Sequence, residues 1–435
     1  MKKILLFYPS FTLNSNDDPL YANIPLSVLT LGQSLMDDYD VQIIDQRFDG
    51  LSGIEKAIES AFMLGISTTT GLQITNGLEF AGMARRINPD IKIVWGGWHP
   101  SLMPHETIKH ALVDVVLVGQ GEKIINSLAD CLYSKRSLES VPNLVYKDGG
   151  EIKSSKTEKY SDFQLPESMI AGYGLIDIDK YMQPVWDGYR IMGYESSRGC
   201  PFSCTFCSIK SLFNRKWHGM RAENLLNDIA FLKKNHGINA MHFFDNNFFC
   251  SNERVFEFAR GLLDRNMDVK WDGTVVIDQF LRYSSQEMEL MVKSNWSRII
   301  VGVESGDSEV LKNINKKHTN EQVIALVRKC KDYDIVPSLS FMLGFPWNPE
   351  KDIDNTLKLV EQIKSIYDRS ITLLFSFSPY LGTEIFKTAQ EYGVKFPDSL
   401  EGWAKYTHDN PVTPWISPRL KKTMQYYLKL FGTKQ

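Results

Sequence analysis

Cys200, Cys204 and Cys207 stand close together in the segment Ser197-Arg198-Gly199-Cys200-Pro201-Phe202-Ser203-Cys204-Thr205-Phe206-Cys207, a C-x3-C-x2-C spacing. Thiolates are the ligands of iron–sulfur clusters, and a full cubane site takes four of them. Three closely spaced thiolates hold three irons and leave the fourth open, where it can chelate the amino and carboxylate groups of a small molecule. Gly199 and Pro201 suit a loop that wraps tightly around a cubane. Structural zinc is the rival chemistry, but it usually takes four nitrogen or sulfur ligands. The nearest further candidate, His218, lies eleven residues beyond Cys207. A trio of plain buried thiols is the third reading, and it is the one expected for the scattered Cys131, Cys250 and Cys330. Six cysteines with three of them clustered do not make a secreted disulfide framework. They point to metal binding in a reducing compartment, the cytoplasm.

Such a loop needs a scaffold, and the chain is long enough for two or three domains at 435 residues. It is 43% hydrophobic and 23% charged, as a globular protein is, and its net charge of -3 argues against a general nucleic-acid grip. The first apolar run is short and broken by Pro9, unlike a signal peptide, and no apolar run is long enough to span a bilayer. Short apolar strands at 4–8, 41–45, 61–67, 91–95 and 113–118, with helices at 26–36 and 77–87, predict a doubly wound parallel sheet. Ligands of such sheets sit at the carboxyl ends of the strands. Those ends are small and polar here: Pro9-Ser10, Ser67-Thr68-Thr69-Thr70, Gly96-Gly97-Trp98-His99 and Gly119-Gln120-Gly121.

A hairpin and linker are expected over 141–189 around the turn Lys147-Asp148-Gly149-Gly150. A second series follows, with strands at 192–196, 240–244, 269–275, 298–303, 337–343 and 371–376 and helical spacing at 225–234 and 320–333. Six strand–helix units predict a partial TIM-like barrel whose carboxyl-end loops carry the chemistry. The tail reads as irregular structure and then a helix over 418–431. The expected α/β architecture is therefore a Rossmann-like domain at 1–140, a linker at 141–189, a partial (β/α)6 barrel at 190–390 and a small helical region at 391–435.

The cysteine segment resembles the signature of the radical S-adenosylmethionine (SAM) superfamily. Later motifs in order strengthen the resemblance: Met241-His242-Phe243-Phe244-Asp245-Asn246-Asn247-Phe248, Gly302-Val303-Glu304-Ser305-Gly306, Leu343-Gly344-Phe345-Pro346 and Pro379-Tyr380-Leu381-Gly382-Thr383-Glu384. Leu381 departs from the related pattern, where a second proline is common. The resemblance implies a [4Fe–4S] cluster on Cys200, Cys204 and Cys207, with Phe206, Asp245, Asn247, Glu304, Ser305, Leu343 and Gly344 near SAM. Glu304 and Ser305 would meet its ribose or methionine part, and Leu343 and Gly344 its adenine. A capping or salt-bridging carboxylate is the plainer role for Glu304, and a polar turn for Asp245, Asn246 and Asn247. Arg221 suits either a cofactor carboxylate or a surface ion pair.

The front sheet resembles the cobalamin-binding domain that precedes the barrel in one branch of this superfamily. The matching stretches are Ile24-Pro25-Leu26-Ser27, Gly65-Ile66-Ser67, Trp95-Gly96-Gly97-Trp98-His99-Pro100 and Gly119-Gln120-Gly121-Glu122. By resemblance Ser67, Thr68, Gly96, Gly97, Trp98, Gly119 and Gly121 would line the cobalamin site, the glycines admitting the backbone to the flat corrin or its nucleotide tail. The D-x-H-x-x-G motif of classical cobalamin binders is absent, and no histidine precedes His99. The cobalt would then lack the usual lower histidine; a degenerate domain that binds no cobalamin is the alternative.

The implied activity is methylation of an unactivated carbon in a small-molecule or peptide substrate. An electron donor such as flavodoxin or ferredoxin would serve it, with no nucleic-acid partner. Cyclisation, rearrangement or carbon–carbon coupling without methyl transfer is the alternative enzyme reading, and a non-catalytic metal-binding scaffold the alternative outside enzymes. Trp403, Tyr406, Trp415, Tyr426 and Tyr427 suit either a substrate pocket or core and lid packing.

Overall fold

A computed structural model describes residues 2–11, 23–158, 165–182, 184–186, 189–407 and 412–431. The chain forms two compact units, residues 1–181 with 396–410 and residues 182–395 with 411–435.

The first unit is built on a seven-stranded sheet in the order β2-β1-β3-β4-β5-β6-β7. The strands are β1 (Lys3–Tyr8), β2 (Asp40–Asp45), β3 (Ala61–Ser67), β4 (Lys92–Gly96), β5 (Val115–Leu117), β6 (Leu144–Asp148) and β7 (Glu151–Ser154). β1 to β5 run parallel, and β6 and β7 join antiparallel. Ile4 to Phe7 and Trp95 are almost wholly buried, as strands covered on both faces require. The expected hairpin is present and extends this sheet through the pairing of β5 with β6. Val145 is 4% exposed, whereas every residue of the outer strand β7 is exposed. The segment 396–410 also belongs to this unit, so the units divide the chain elsewhere than at 140 and 390.

One helix begins earlier than its apolar spacing indicates, running Leu72–Ile87 rather than from residue 77. Its first turns carry Gln73 and Asn76, polar residues that are nonetheless buried. Gln73 Nε2 donates to the Pro9 carbonyl at 2.8 Å and Asn76 Nδ2 to the Ser10 carbonyl at 2.8 Å, so both are spent fastening the end of β1.

The second unit holds a sheet in the order β16-β15-β14-β13-β12-β9-β8. Its members are β8 (Pro184–Trp186), β9 (Tyr189–Tyr194), β12 (Ala240–Phe243), β13 (Lys270–Thr274), β14 (Trp296–Glu304), β15 (Val336–Leu343) and β16 (Ile371–Ser376). β9 and β12 to β16 run parallel, the six strands of a partial barrel, and β8 pairs antiparallel on β9. A two-stranded ribbon, β10 (Ser197–Gly199) with β11 (Trp217–Gly219), follows β9. An aromatic cluster fills the layer between barrel and helices. Phe243 and Phe248 stack at 4.3 Å, Trp271 and Trp296 at 5.6 Å, and Phe258 meets Trp271 edge-on at 5.3 Å. Burying each such side chain stabilises the fold by roughly 1.5–3 kcal/mol. Among the described residues no helix is long and apolar enough to cross a membrane.

Candidate cluster and cofactor sites

The cysteine loop begins where β9 ends, and buried polar groups fix its start. Asp245, 2% exposed, accepts from Ser196 N at 2.7 Å, from Ser196 Oγ at 2.7 Å and from the Ser197 hydroxyl. Burial pushes its carboxyl up, against the pull of Arg254 and these donors. Arg254 donates to the carbonyls of Met220 at 2.7 Å and Ser196 at 3.2 Å. Gly199 N donates to Asn246 Oδ1 at 3.0 Å. Gly199 has φ +85°, and a Cβ there would lie 2.0 Å from the carbonyl oxygen of Lys216, the residue that leads into β11, so the backbone there excludes any side chain. Asp245 and Asn246 therefore anchor the loop, whereas both amide atoms of Asn247 are buried without a hydrogen-bond partner. Nothing in the motif distinguishes the two asparagines; their contacts do.

Further along, Asn315 Nδ2 donates to Ser203 O at 2.9 Å and Thr205 N to Ile314 O at 3.1 Å. Cys200, Cys204 and Cys207 are all partly exposed on this loop. Burial raises each thiol, to about 11 for Cys207, and the charges of Cys204 and Cys200 add to the rise there. Free thiols here stay protonated, and metal coordination would remove their protons. Among the described residues no three His, Cys, Asp or Glu gather as the ligands of a single metal ion. Three thiols fit a cubane with one iron left open better than structural zinc, which takes four ligands.

Lys316 is a component of this site that motif reading missed. Its Nζ lies 3.2 Å from Glu304 Oε1, donates to the Gly302 carbonyl at 2.7 Å and stands 5.9 Å from the Phe206 ring centroid. Burial opposes its charge, yet Glu304, Cys204 and Cys207 outweigh burial and raise its pKa. The signal was available in Asn315-Lys316-Lys317-His318, a basic run just after a helix, but only the fold places one of its lysines against the cysteine loop. Arg221, the cation considered from sequence, is exposed.

Glu304 ends β14 in the left-handed region, φ +75°. Ser305 donates to Asp352 Oδ1 at 2.5 Å, and Gly344 N donates to Asp352 Oδ2 at 3.3 Å. Asp352 thus ties two of the expected SAM-contact positions together from a third element, the helix Pro349–Ile366. Burial pushes its carboxyl up to about 6. Leu343 points into the core, 0% exposed, so only its backbone can meet a ligand. Phe206 packs on the cluster of Val310, Leu311, Ile314, Phe345, Phe377 and Ile385.

In the first unit the strand ends gather the other expected residues. Thr68 N donates to Gly96 O at 3.0 Å and His99 N to Thr68 O at 3.1 Å. A Cβ on Gly97 would lie 2.7 Å from Thr68 O, so that glycine is needed for its own chain's close approach rather than left open to a corrin. Ser67 Oγ donates to Ser27 Oγ at 2.8 Å instead of standing free. Gly96 is more open, its nearest neighbour being Leu117 O at 3.7 Å from a Cβ, and Trp98 begins a short helix, Trp98–Leu102. Gly119 N donates to Ser101 Oγ at 2.8 Å, while a Cβ on Gly121 would meet Leu31 at 2.7 Å. Thr68 Oγ1 and His99 Nε2 are buried without partners. His99 Nδ1 lies 3.0 Å from Thr70 Oγ1, and burial pushes its pKa down to about 4. These two unsatisfied atoms fit a ligand that carries amides or a phosphate. The C-terminal aromatics separate: Trp403 packs against His99 at 5.9 Å in the first unit, whereas Trp415 donates to the Gly344 carbonyl at 3.0 Å in the second.

The model of the radical SAM superfamily matches residues 194–360, and that of the B12 binding domain matches residues 20–129. The chain belongs to the radical SAM superfamily, in the branch that carries a B12-binding domain. This radical SAM chain is similar over 93% of its length to an uncharacterized methyltransferase of Pyrococcus horikoshii, at 27% identity and with 88% of the relative covered. It is 22% identical, over 91% of its length and 83% of the relative's, to the cytidylyl-2-hydroxyethylphosphonate methyltransferase of Streptomyces wedmorensis. The anaerobic magnesium-protoporphyrin IX monomethyl ester cyclase of Synechocystis is 22% identical over 84% of the chain and 74% of the cyclase. Its fold is that of the methyltransferase TsrM of Kitasatospora setae (TM-score 0.71, 16% identity, 91% of this chain and 78% of that one). It is also that of the cobalamin-dependent radical enzyme OxsB (TM-score 0.73, 18% identity, 99% of this chain and 71% of that one).

Proposed function

We propose that this radical SAM chain is a cobalamin-dependent methyltransferase that methylates an unactivated carbon of a small-molecule or peptide substrate. The observation that carries the reading is the three-thiol loop set beside the Lys316–Glu304 pair, in a chain that also has a B12-binding domain. When bound, the [4Fe–4S] cluster, SAM and cobalamin supply reductive radical formation and a transferable methyl group.

The chain's own residues bind and orient. Cys200, Cys204 and Cys207 would hold the cluster, three thiolates for a group that could then chelate the amino acid end of SAM. Lys316 balances the thiolates and the cofactor carboxylate, and Glu304 receives the cofactor's ammonium or ribose hydroxyls. Asp352 holds the Ser305 hydroxyl and the Gly344 N–H, so that Ser305 would meet the ribose or methionine part of the cofactor and Gly344 its adenine. Asn247, whose amide is buried without a hydrogen-bond partner, would turn it to the same cofactor. Thr68, the Gly96 backbone and the Gly119-Gln120-Gly121 loop would serve the cobalamin. No general base is required for hydrogen abstraction. A one-electron donor of the flavodoxin or ferredoxin type would supply the electron the cluster needs, and a cytoplasmic setting would keep the thiols reduced.

The cyclase relatives give the second reading, radical chemistry without methyl transfer. Anaerobic turnover with deuterated-methyl SAM separates the two. Trideuteromethyl appearing in a product, with more than one SAM consumed per turnover, supports methylation. Deoxyadenosine formed with product but without label transfer would replace it by cyclisation or rearrangement.

A further inference from the structure

A row of three polar side chains crosses the inner face of the barrel and takes no part in the cofactor sites. Side chains alternate along β12 and β13. Phe243 and Trp271 face the helix layer, where they meet Phe258 at 5.7 and 5.3 Å. His242 and Asp272 therefore face inward. The strand register sets His242 opposite Asp272, and Asp272 opposite Arg298.

The contacts follow that register. His242 Nδ1 lies 2.6 Å from Asp272 Oδ1, Arg298 Nε donates to Asp272 Oδ2 at 2.8 Å, and its second nitrogen donates to the same oxygen. Arg298 also stands 3.4 Å from His242 Nδ1, too far to compete with the carboxylate. Burial would raise the Asp272 carboxyl, but His242 and Arg298 outweigh it and hold it below the ordinary carboxylate range. The short contact sets Nδ1 of His242 against the carboxylate and leaves Nε2 on the other side of the ring.

Exposure distinguishes this row from a plain ionic filler of the barrel. Asp272 and Arg298 are 7% and 18% exposed at the side chain, enough to satisfy each other. His242 is the most open of the three at 25%, with its other nitrogen outside the network. Phe244, the next inward residue, packs edge-on against its ring at 4.4 Å, about 7 Å further toward the cysteine loop. A polar acceptor beside an aromatic wall, just below the loop, is what a substrate entering the barrel would meet.

We propose that His242 is a specificity-determining substrate contact. With Nδ1–H donating to Asp272, Nε2 accepts a hydrogen bond from a hydroxyl or ring N–H of a neutral substrate seated against Phe244. Arg298 positions the pair through Asp272. The proposal rests on the enzymatic reading only for the statement that a substrate enters the barrel, and its test reads the site itself.

Cluster-reconstituted full-length chain labelled with [15N]histidine would be titrated with indole and with 1-methylindole. The His242 resonance is assigned by its loss in His242→Gln, or by its change in Asp272→Asn if the first variant does not fold. Indole should shift Nε2 selectively, and 1-methylindole, which lacks the N–H, should bind at least tenfold more weakly. Asp272→Asn should abolish that preference while reductive cleavage of SAM to deoxyadenosine stays at the wild-type rate. A His242 resonance that ignores both probes, or follows both equally, would overturn the proposal and leave the row as structural packing. Absence of deoxyadenosine from the wild-type chain would instead strike the radical-enzyme reading, and the indole titration would stand apart from it.

Discussion

Single residues at the cluster loop have little freedom. Gly199 combines φ +85° with a carbonyl oxygen 2.0 Å from where a Cβ would sit. Gly199→Ala must move the loop off β11, and reconstituted iron should fall to less than half of wild type while the rest of the fold survives, as read by circular dichroism. Lys316 is constrained by charge rather than space. Removing it leaves Glu304 buried and unpaired, which costs a few kcal/mol when it happens in a protein interior. Lys316→Met should weaken SAM binding by about tenfold or more, roughly 1.4 kcal/mol, with iron content unchanged. Equal SAM affinity in the variant would remove Lys316 from the site.

Asp352 gives a pH signature at the same scale. Its folded pKa of about 6 lies above the unfolded value of about 3.9. Between those values the folded chain holds the extra proton, so stability falls as pH rises through that window and stays lowered above it. The difference is worth about 3 kcal/mol. Asp352→Asn, which cannot ionise, should flatten the fall in Tm between pH 4 and 6, and an unchanged slope would place the titration elsewhere.

At the scale of elements, the barrel strands are held by the aromatic layer behind them. Trp271 is 1% exposed and touches Phe248, Phe249, Phe258 and Trp296. Trp271→Ala should cost about 3–5 kcal/mol by cavity formation, measured as a fall in the urea midpoint. That wall also backs β13, which carries Asp272. The β–α alternation of both sheets was legible because buried parallel strands are short apolar runs between helices. The start of the helix Leu72–Ile87 was not, because Gln73 and Asn76 hide polar atoms in the core through bonds to Pro9 and Ser10 that no periodicity reveals. The hairpin β6–β7 was legible from its turn Lys147-Asp148-Gly149-Gly150, but only the pairing of β5 with β6 shows that it extends the sheet. The cysteine spacing pointed to a cluster loop from the sequence alone. Lys316, Asp352 and Arg254 did not show, since each acts on motif residues from a separate element.

For the whole molecule, the account joins two cofactor-binding units in one chain, and each has its own evidence. The second unit rests on the thiols and their anchors. The first rests on the B12 binding family match and on Thr68 Oγ1 and His99 Nε2, buried and unsatisfied at its strand ends. Anaerobic reconstitution with iron, sulfide and hydroxocobalamin, followed by iron and cobalt counts and optical spectra, tests both at once. The account predicts about four irons and one corrinoid per chain, with the iron lost and the corrinoid kept when Cys200, Cys204 and Cys207 are replaced by alanine. Iron that survives that replacement, or a wild-type chain that takes up no corrinoid, would contradict it.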